Sequence, residues 1–176
     1  MLPILTAAEQ QDLGKSMKWG LPTSAYHADM PKAVGKYWHE KLYVHMELEP
    51  MDGTGPDNTN WKAIMDKFGD KKDPRDTFSQ AGFLSAKVTT DALLGIKGNV
   101  DRKSAYQAIV GTAKWKTDMM CAPWYFGTGE RHQPNHKGRA AMMQKGGFKT
   151  LTECYQSKDS DLDDVLKLEA KGGLVN

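Results

Sequence analysis

Strand-like and helix-like segments alternate along this 176-residue chain, and the alternation restricts the folds that are open to it. The clearest helix has four apolar residues at i, i+3, i+4 and i+7, and therefore on one face: Trp61, Ile64, Met65 and Phe68. Near the end of the chain, Lys145-Gly146-Gly147 separates two strand-like segments and predicts a hairpin. This order predicts an α/β fold with an open parallel sheet and flanking helices.

Caps and glycine stops set the predicted boundaries. We expect strands at Leu2–Leu5 and Leu42–Met46, and irregular structure at residues 47–57, which are rich in glycine and proline. Helices are predicted near residues 7–18, 58–68, 77–94, 102–110 and 161–170. The first helix is predicted to start with a capping box formed by Thr6 and Glu9. Each later helix is predicted to start with a single capping residue, in chain order Asn58 or Asn60, Asp76, Asp101 and Ser160.

Charge and hydropathy exclude several classes of partner. The chain has 24 basic and 22 acidic residues, a net charge of +2, and its lysines are spread almost evenly. Nucleic-acid binding usually needs basic residues clustered on one face, so no nucleic-acid partner is expected. The apolar run Leu2–Leu5 is too short for the core of a signal peptide, and no run approaches the roughly 18 apolar residues of a membrane span. If the protein is exported, we expect its signal upstream of this chain.

Two histidines raise the question of a metal site. His132 and His136 are separated by three residues, a spacing seen in zinc sites, with Cys121 and Cys154 as the other conceivable ligands. No CxxC motif accompanies them, and Pro134 would break a helix that aligned the histidines. The sequence favours an exposed turn, and neither a metal nor another cofactor is expected.

Two other groups have suggestive residue types without the required setting. Three acidic residues lack the glycine and the distant glutamate of a calcium loop and are typical of a first helical turn: Asp161, Asp163 and Asp164. Three residues of catalytic-triad types lack a nucleophile elbow: Ser24, His27 and Asp29. We therefore expect no catalytic residues and no enzyme activity.

Three consecutive stretches carry a family resemblance: FSQAGFLSAKVTTDALLGIKGN from Phe78, then DRKSAYQAIVGTAKWKT, then CAPWYFGTGERHQPNHKGRAAMMQKGGFKTL. This sequence of a helix led by an aromatic residue, a shorter helix, an extended segment and a hairpin resembles the C-terminal third of type I periplasmic solute-binding proteins of ABC transporters, the branched-chain amino-acid and amide binding family. The opening MLPILTAAEQQDLGKSMKWGLP looks like a unit from the middle of such a protein. The resemblance implies a C-terminal portion of a two-lobed protein whose N-terminal half is missing.

The resemblance also implies a function. Residues 1–47 would belong to one lobe and residues 58–126 to the other, with residues 139–176 returning to complete the fold. The whole protein would close its lobes around a small solute, namely an amino acid, an amide or an aromatic carboxylate, and deliver it to a permease. Its partners would be the solute, the permease and the missing N-terminal half, and its location periplasmic or extracellular. An oxidising location would permit a Cys121–Cys154 disulfide, although two buried free thiols remain the alternative.

Candidate ligand contacts come from the rule that ligands bind outside the carboxyl ends of parallel strands. The rule nominates Thr6 after the first strand, the loop residues Tyr26 and His27, and the helix start from Phe78 to Gln80. Free N–H groups at a helix N-terminus suit a ligand carboxylate.

The resemblance supports Phe78 and adds two further candidates. Phe78 falls where the family places an aromatic or small residue facing the cleft. Glu40, in YWHEKLYVH, is similar in place to an acid that contacts a ligand amine, although Lys41 stands where glycine is common. Trp38 is a candidate ring for stacking. The alternatives are a core anchor for Phe78, a solvated acid for Glu40 and core packing for Trp38.

Three functions stay open at this stage. A portion of a binding protein predicts an incomplete sheet with an exposed edge, or an apolar face where the rest of the protein docks. A stand-alone interaction or regulatory α/β domain predicts one closed core. A metal-assisted hydrolase predicts that His132 and His136 converge in a pocket.

Overall fold

A computed structural model describes residues 1–126, 137–156, 158 and 160–171. The described helices are α1 (Leu2–Gln10), α2 (Met30–Val34), α3 (Pro56–Phe68), α4 (Thr77–Leu94), α5 (Arg102–Val110) and α6 (Asp163–Lys171). The described strands are β1 (Trp19–Leu21), β2 (Leu42–Met46), β3 (Lys137–Gln144), β4 (Gly147–Thr150) and β5 (Tyr155–Gln156). Short 3₁₀ turns lie at Leu13–Lys15, Thr23–Ala25, Lys36–Trp38 and Ser160–Leu162.

The strands form one mixed sheet in the order β1-β2-β3-β4, and β5 pairs with the beginning of β3. The α/β prediction is confirmed, but among the described strands only β1 and β2 are parallel, whereas β3 is antiparallel to both β2 and β4. The reason is that the chain leaves β2 for three helices and re-enters the sheet at the same end, so β3 runs back along β2. The predicted hairpin is confirmed. Its turn residue Gly146 has φ 83°, a left-handed conformation that favours glycine.

The first predicted strand is wrong, because Leu2–Leu5 is the start of α1. Pro3 is compatible with a first helical turn, where its missing N–H is not needed. The predicted capping box is also wrong, because the Thr6 hydroxyl donates to the carbonyl of Leu2 at 3.1 Å from inside the helix. The helix ends at Gln10, well before residue 18, and Asp12 then adopts a left-handed φ of 56°.

The later helices follow the predicted boundaries closely. Reciprocal capping by Asp76 and Ser79 starts α4, and the same box formed by Asp101 and Ser104 starts α5. Helix α3 starts at Pro56, so the predicted cap Asn58 lies inside the helix and is buried. Ser160 begins a 3₁₀ turn, and α6 follows it at Asp163.

Two hydrophobic clusters of buried side chains organise the structure. The first lies on the sheet and combines residues of α1, α2, the 3₁₀ turns and the strands, such as Leu5, Trp38 and Val44. The second combines Trp61 of α3, Leu84 of α4 and Met119. The chain passes from the first cluster to the second through residues 47–55, which we call the connection.

The apolar face of α3 is only partly covered. Trp61 is 1% exposed, whereas Ile64 and Phe68 of the same face are 41% and 74% exposed. A helix normally buries such a face against another element. Within the described residues, this face lacks a complete partner.

A disulfide joins Cys121 to Cys154, with a Cα–Cα distance of 5.5 Å. Cys121 follows Met119 of the second cluster, and Cys154 immediately precedes β5. A search of the described part of the chain for an apolar helix of membrane-spanning length found none.

Candidate functional site

The connection lies between the two clusters and is held by side chains from both sides. From the sheet side, the hydroxyl of Tyr26 accepts a hydrogen bond from the N–H of Met51 at 3.4 Å. From the helical side, Nε2 of Gln80 donates to the carbonyl of Glu49 at 3.1 Å. Tyr26 and Gln80 are two of the candidate ligand contacts. They therefore hydrogen-bond to the same short segment, residues 49–51, from opposite sides.

Buried amide side chains fix the course of the connection. Gln80 is fully buried, and its Nε2 also donates to Oδ1 of Asn58 at 2.8 Å. Asn58 in turn donates to the carbonyls of Pro50 at 3.0 Å and Gly53 at 2.9 Å. Buried carbonyl groups require such partners, so these two amides stabilise the course that the irregular segment takes in this structure. Sequence patterns nominated Gln80 but treated Asn58 only as a helix cap.

An ion pair anchors the connection to the sheet. Oε2 of Glu49 lies 2.9 Å from the guanidinium of Arg139 on β3, and the two side chains are only 21% and 14% exposed. Burial raises the pKa of Glu49, Arg139 opposes the rise, and three acids add to it: Asp118, Asp52 and Glu153. Ninety positions separate Glu49 from Arg139, so no sequence motif could have revealed the pair.

We expect the pKa of the Glu49 carboxyl to lie above the usual value for glutamate. Its stabilising contribution falls as the pH rises through the interval between its unfolded and folded pKa values, because the folded state binds the proton more tightly. Replacing Arg139 by Gln should raise this pKa further by removing the opposing charge. Side-chain carboxyl NMR titration measures the change, with Lys149→Gln, at an exposed position of β4, as the charge-matched control. A lower Glu49 pKa in Arg139→Gln would contradict the proposed electrostatics.

The loop after β1 forms the sheet side of the candidate cleft. Thr23 donates to the carbonyl of His45 at 3.0 Å and ties the carboxyl ends of β1 and β2 together. Tyr26 is 4% exposed, and burial raises its pKa to about 12. His27 beside it is half-buried, and the 3₁₀ turn Thr23–Ala25 contacts α4 across the boundary between the clusters. The edge where parallel strands end thus faces the long helix.

A pocket of about 280 Å³ adjoins the connection. Its walls include the apolar side chains of Tyr26, Met51 and Phe148, and the rings of Tyr26 and Phe148 lie 4.7 Å apart. Exposed groups of opposite charge, Asp52 and Lys145, also line it. A pocket of this size suits a small molecule with polar ends and an apolar body.

The start of α4 contributes an exposed ring and a capped terminus. Phe78 is 61% exposed, so it is not a core anchor. The Asp76 carboxylate accepts the N–H of Ser79 at 2.9 Å. One donor that we expected to be free for a ligand carboxylate is therefore occupied by the protein's own acid, which leaves Thr77 and Phe78 as the first-turn N–H groups outside the capping box.

The other candidates lie apart from the connection. Thr6 is exposed on α1, and the strand that nominated it is a helix. Trp38 is fully buried in the first cluster, with its ring 5.4 Å from that of Trp19. Glu40 is exposed just before the amino end of β2, whereas the Tyr26 loop lies near the carboxyl end. The structure brings Tyr26 and Gln80 together, and it separates both from Thr6, Trp38 and Glu40.

The metal-site hypothesis gains no support from the described residues. Among them, no group of three or more His, Cys, Asp or Glu side chains is placed to hold a metal ion. His132 and His136 lie outside the described residues. Cys121 and Cys154, the other conceivable ligands, are joined to each other.

Comparisons with known proteins agree on one family, whose members are binding proteins rather than enzymes. Residues 1–148 match the periplasmic binding protein family. No curated protein sequence matches the chain.

Solved structures agree with this fold. A branched-chain amino acid ABC transporter protein from Thermus thermophilus, solved with bound valine, is 19% identical with a TM-score of 0.72, over 89% of this chain and 43% of that one. A possible leucine/isoleucine/valine-binding protein from Rhodopirellula baltica is 17% identical with a TM-score of 0.71, over 86% of this chain and 39% of that one. A leucine-binding protein from Thermotoga maritima is 13% identical with a TM-score of 0.64, over 88% and 42%. This chain spans about two fifths of the length of these relatives. Because its residues 1–148 match the family, the chain belongs to the periplasmic binding protein family.

Proposed function

We propose that this chain is the C-terminal portion of the substrate-binding component of an ABC transporter and takes part in capturing a small solute by closure of two lobes. One lobe comprises residues 1–47 together with the returning residues 139–176, and the other comprises residues 58–126. The relatives named for leucine or solved with valine favour an amino acid as the solute. Amides and aromatic carboxylates share the same combination of a polar end and an apolar body. The proposed partner is a permease, and the proposed location is periplasmic or extracellular.

The observation that carries this proposal is the position of the connection. Within the described residues, the chain passes from the first cluster to the second through this segment, and Tyr26 and Gln80 hydrogen-bond to it from opposite sides. Closure of two bodies around a solute needs a short segment where backbone angles change while each body stays rigid. When the two bodies close, residues that line the cleft beside such a segment approach each other.

An apolar groove supports the idea that more of the protein docks on the second cluster. The groove has a volume of about 540 Å³ and lies between α3 and α4, where its lining includes Trp61, Ile64, Met65 and Phe83. The described part of the second cluster contains helices and isolated β-bridges but no strand. Large exposed apolar surfaces mark interaction sites. We propose that the N-terminal half of the same protein covers this groove with its sheet.

Ile64→Glu should block this docking while leaving the chain itself folded. Ile64 is already 41% exposed, so the substitution should change the free energy of unfolding of the chain by only about 0.5 kcal/mol. Burying the new carboxylate under a docked sheet would be costly. The measurement is co-elution of the chain with the N-terminal half supplied as a separate polypeptide. Leu94→Glu, at a position that is 79% exposed and outside the groove, is the matched control. Docking by Ile64→Glu as strong as by the control would reject the groove as the contact.

The stand-alone alternative is not favoured. A single regulatory or interaction domain predicts one closed core, whereas the described residues form two clusters and leave an apolar groove open. The metal-assisted hydrolase rests on residues outside the described part of the chain. No specific observation supports either function over solute capture.

A further inference from the structure

The disulfide crosses from one hydrophobic cluster to the other. Cys121 follows Met119, which is fully buried in the second cluster, and Met120, which packs against it. Cys154 directly precedes β5, which pairs with β3 of the sheet. The covalent bond therefore joins the helical cluster to the sheet at a place where the chain is otherwise held by noncovalent contacts.

Backbone hydrogen bonds fix the helical side of the bond next to the connection. The carbonyl of Met119 accepts the N–H of Glu49 at 2.7 Å, and Leu48 and Met120 form an antiparallel bridge. Cys121 is therefore held one residue beyond a segment that runs alongside the connection.

The sheet side is anchored equally closely. The N–H of Leu151 donates to the carbonyl of Ala140 at 2.8 Å, and the N–H of Ala140 donates to the hydroxyl of Thr152 at 2.9 Å. Cys154 follows two residues later. Both sulfurs are thus carried on backbone that is fixed to its own cluster.

We propose that the Cys121–Cys154 disulfide is a redox-sensitive clamp that restrains the movement of the two clusters about the connection. The bond keeps two Cα atoms 5.5 Å apart beside the connection. It therefore limits how far the two clusters can rotate relative to each other. Its role in solute release rests on the proposed function, but the restraint itself does not. Cys154 is exposed and Cys121 half-buried, which leaves the bond open to a reductant.

The chemistry is a two-electron exchange with a dithiol. One thiolate of the dithiol attacks a sulfur of the Cys121–Cys154 bond and forms a mixed disulfide. Its second thiolate then displaces the remaining protein sulfur. The protein gains two electrons and two protons as two thiols, and the dithiol leaves as a cyclic disulfide.

Hydrogen exchange on the 176-residue chain tests the clamp, with dithiothreitol as the reductant. We expect reduction to speed exchange of the Glu49 amide, which bonds to Met119, by about tenfold through local opening, while amides inside β2 and α4 change much less. The variant Cys121→Ser with Cys154→Ser should behave like the reduced chain and not respond to dithiothreitol.

Two results would overturn the clamp. An equal increase at all amides would mean that the bond only stabilises the whole fold. An unchanged Glu49 amide after verified reduction would mean that the noncovalent contacts already fix the clusters. A second measurement separates the clamp from the proposed function: in the complete protein, reduction should accelerate release of bound L-leucine. Reduction could speed exchange selectively at Glu49 in this chain while the complete protein binds no solute. That combination would support the clamp and reject the proposed function.

Discussion

Restoring the N-terminal half is expected to raise the affinity for L-leucine at least about a thousandfold over the nearly undetectable binding of this chain alone. The chain offers one side of a cleft, so a solute bound to it keeps much of its surface in water. Loss of about 4 kcal/mol of contact energy accounts for a factor of this size. Calorimetry on the chain and on the complete protein measures it. Tight binding by the isolated chain would overturn the shared cleft.

In the complete protein, Phe78→Ala should weaken binding of L-leucine, because the exposed ring at the start of α4 is proposed to contact the bound solute. Tyr106→Ala is the matched control, since Tyr106 is 67% exposed and Phe78 61%, and Tyr106 lies on α5, away from the groove. Equal affinities for these two variants would remove Phe78 from the site and leave Tyr26 as the remaining aromatic candidate.

Gln80→Leu is expected to destabilise the chain by about 3 kcal/mol, because it leaves one buried and one partly buried acceptor without their donor. Those acceptors are Oδ1 of Asn58 and the carbonyl of Glu49. Leucine has a similar size, so a cavity contributes little. For a chain of this length the melting temperature should fall by about 6–12 °C.

Thermal unfolding under oxidising conditions measures this loss, and Gln107→Leu is the control. Gln107 lies on α5 with an exposed side chain, so the same exchange should leave the melting temperature nearly unchanged. Similar melting temperatures for both variants would mean that the Gln80 amide does not hold the connection.

The sequence predicted the structure best where local chemistry decides it. Helices α4 and α5 begin directly after Asp76 and Asp101, because each acid exchanges hydrogen bonds with a serine three residues later. They end beside Gly95 and Gly111. These signals need no knowledge of distant residues, and both helices have the boundaries that were predicted.

Short apolar segments were predicted less well, since periodicity over a few residues does not separate a strand from a helix. Leu2–Leu5 fits either structure, and its helical form is consistent with Leu5 and Ala8 packing together into the first cluster. The three-residue strand β1 begins at Trp19, directly after residue 18, where a helix was predicted to end. It is a strand because Trp19–Leu21 pairs with β2.

The candidate site was predicted only in part. Tyr26 and Gln80 were nominated from their places after a strand and at a helix start. The ion pair of Glu49 with Arg139 and the amide of Asn58 were missed, because they depend on contacts between distant segments or with an irregular one. Sequence patterns report the faces of regular elements, and a connection has no such face.

The antiparallel pairing of β2 with β3 also affects the order of folding. Tyr43 pairs with Met142, so forming this strand pair closes a loop of roughly 100 residues, with an entropic cost that grows with the logarithm of loop length. If the second cluster forms first, the Glu49–Met119 hydrogen bond shortens the free chain to roughly 30 residues. The saving is about 1 kcal/mol. Early formation of helices α3 to α5 would therefore favour formation of the sheet, although these helices are not packed in its cluster.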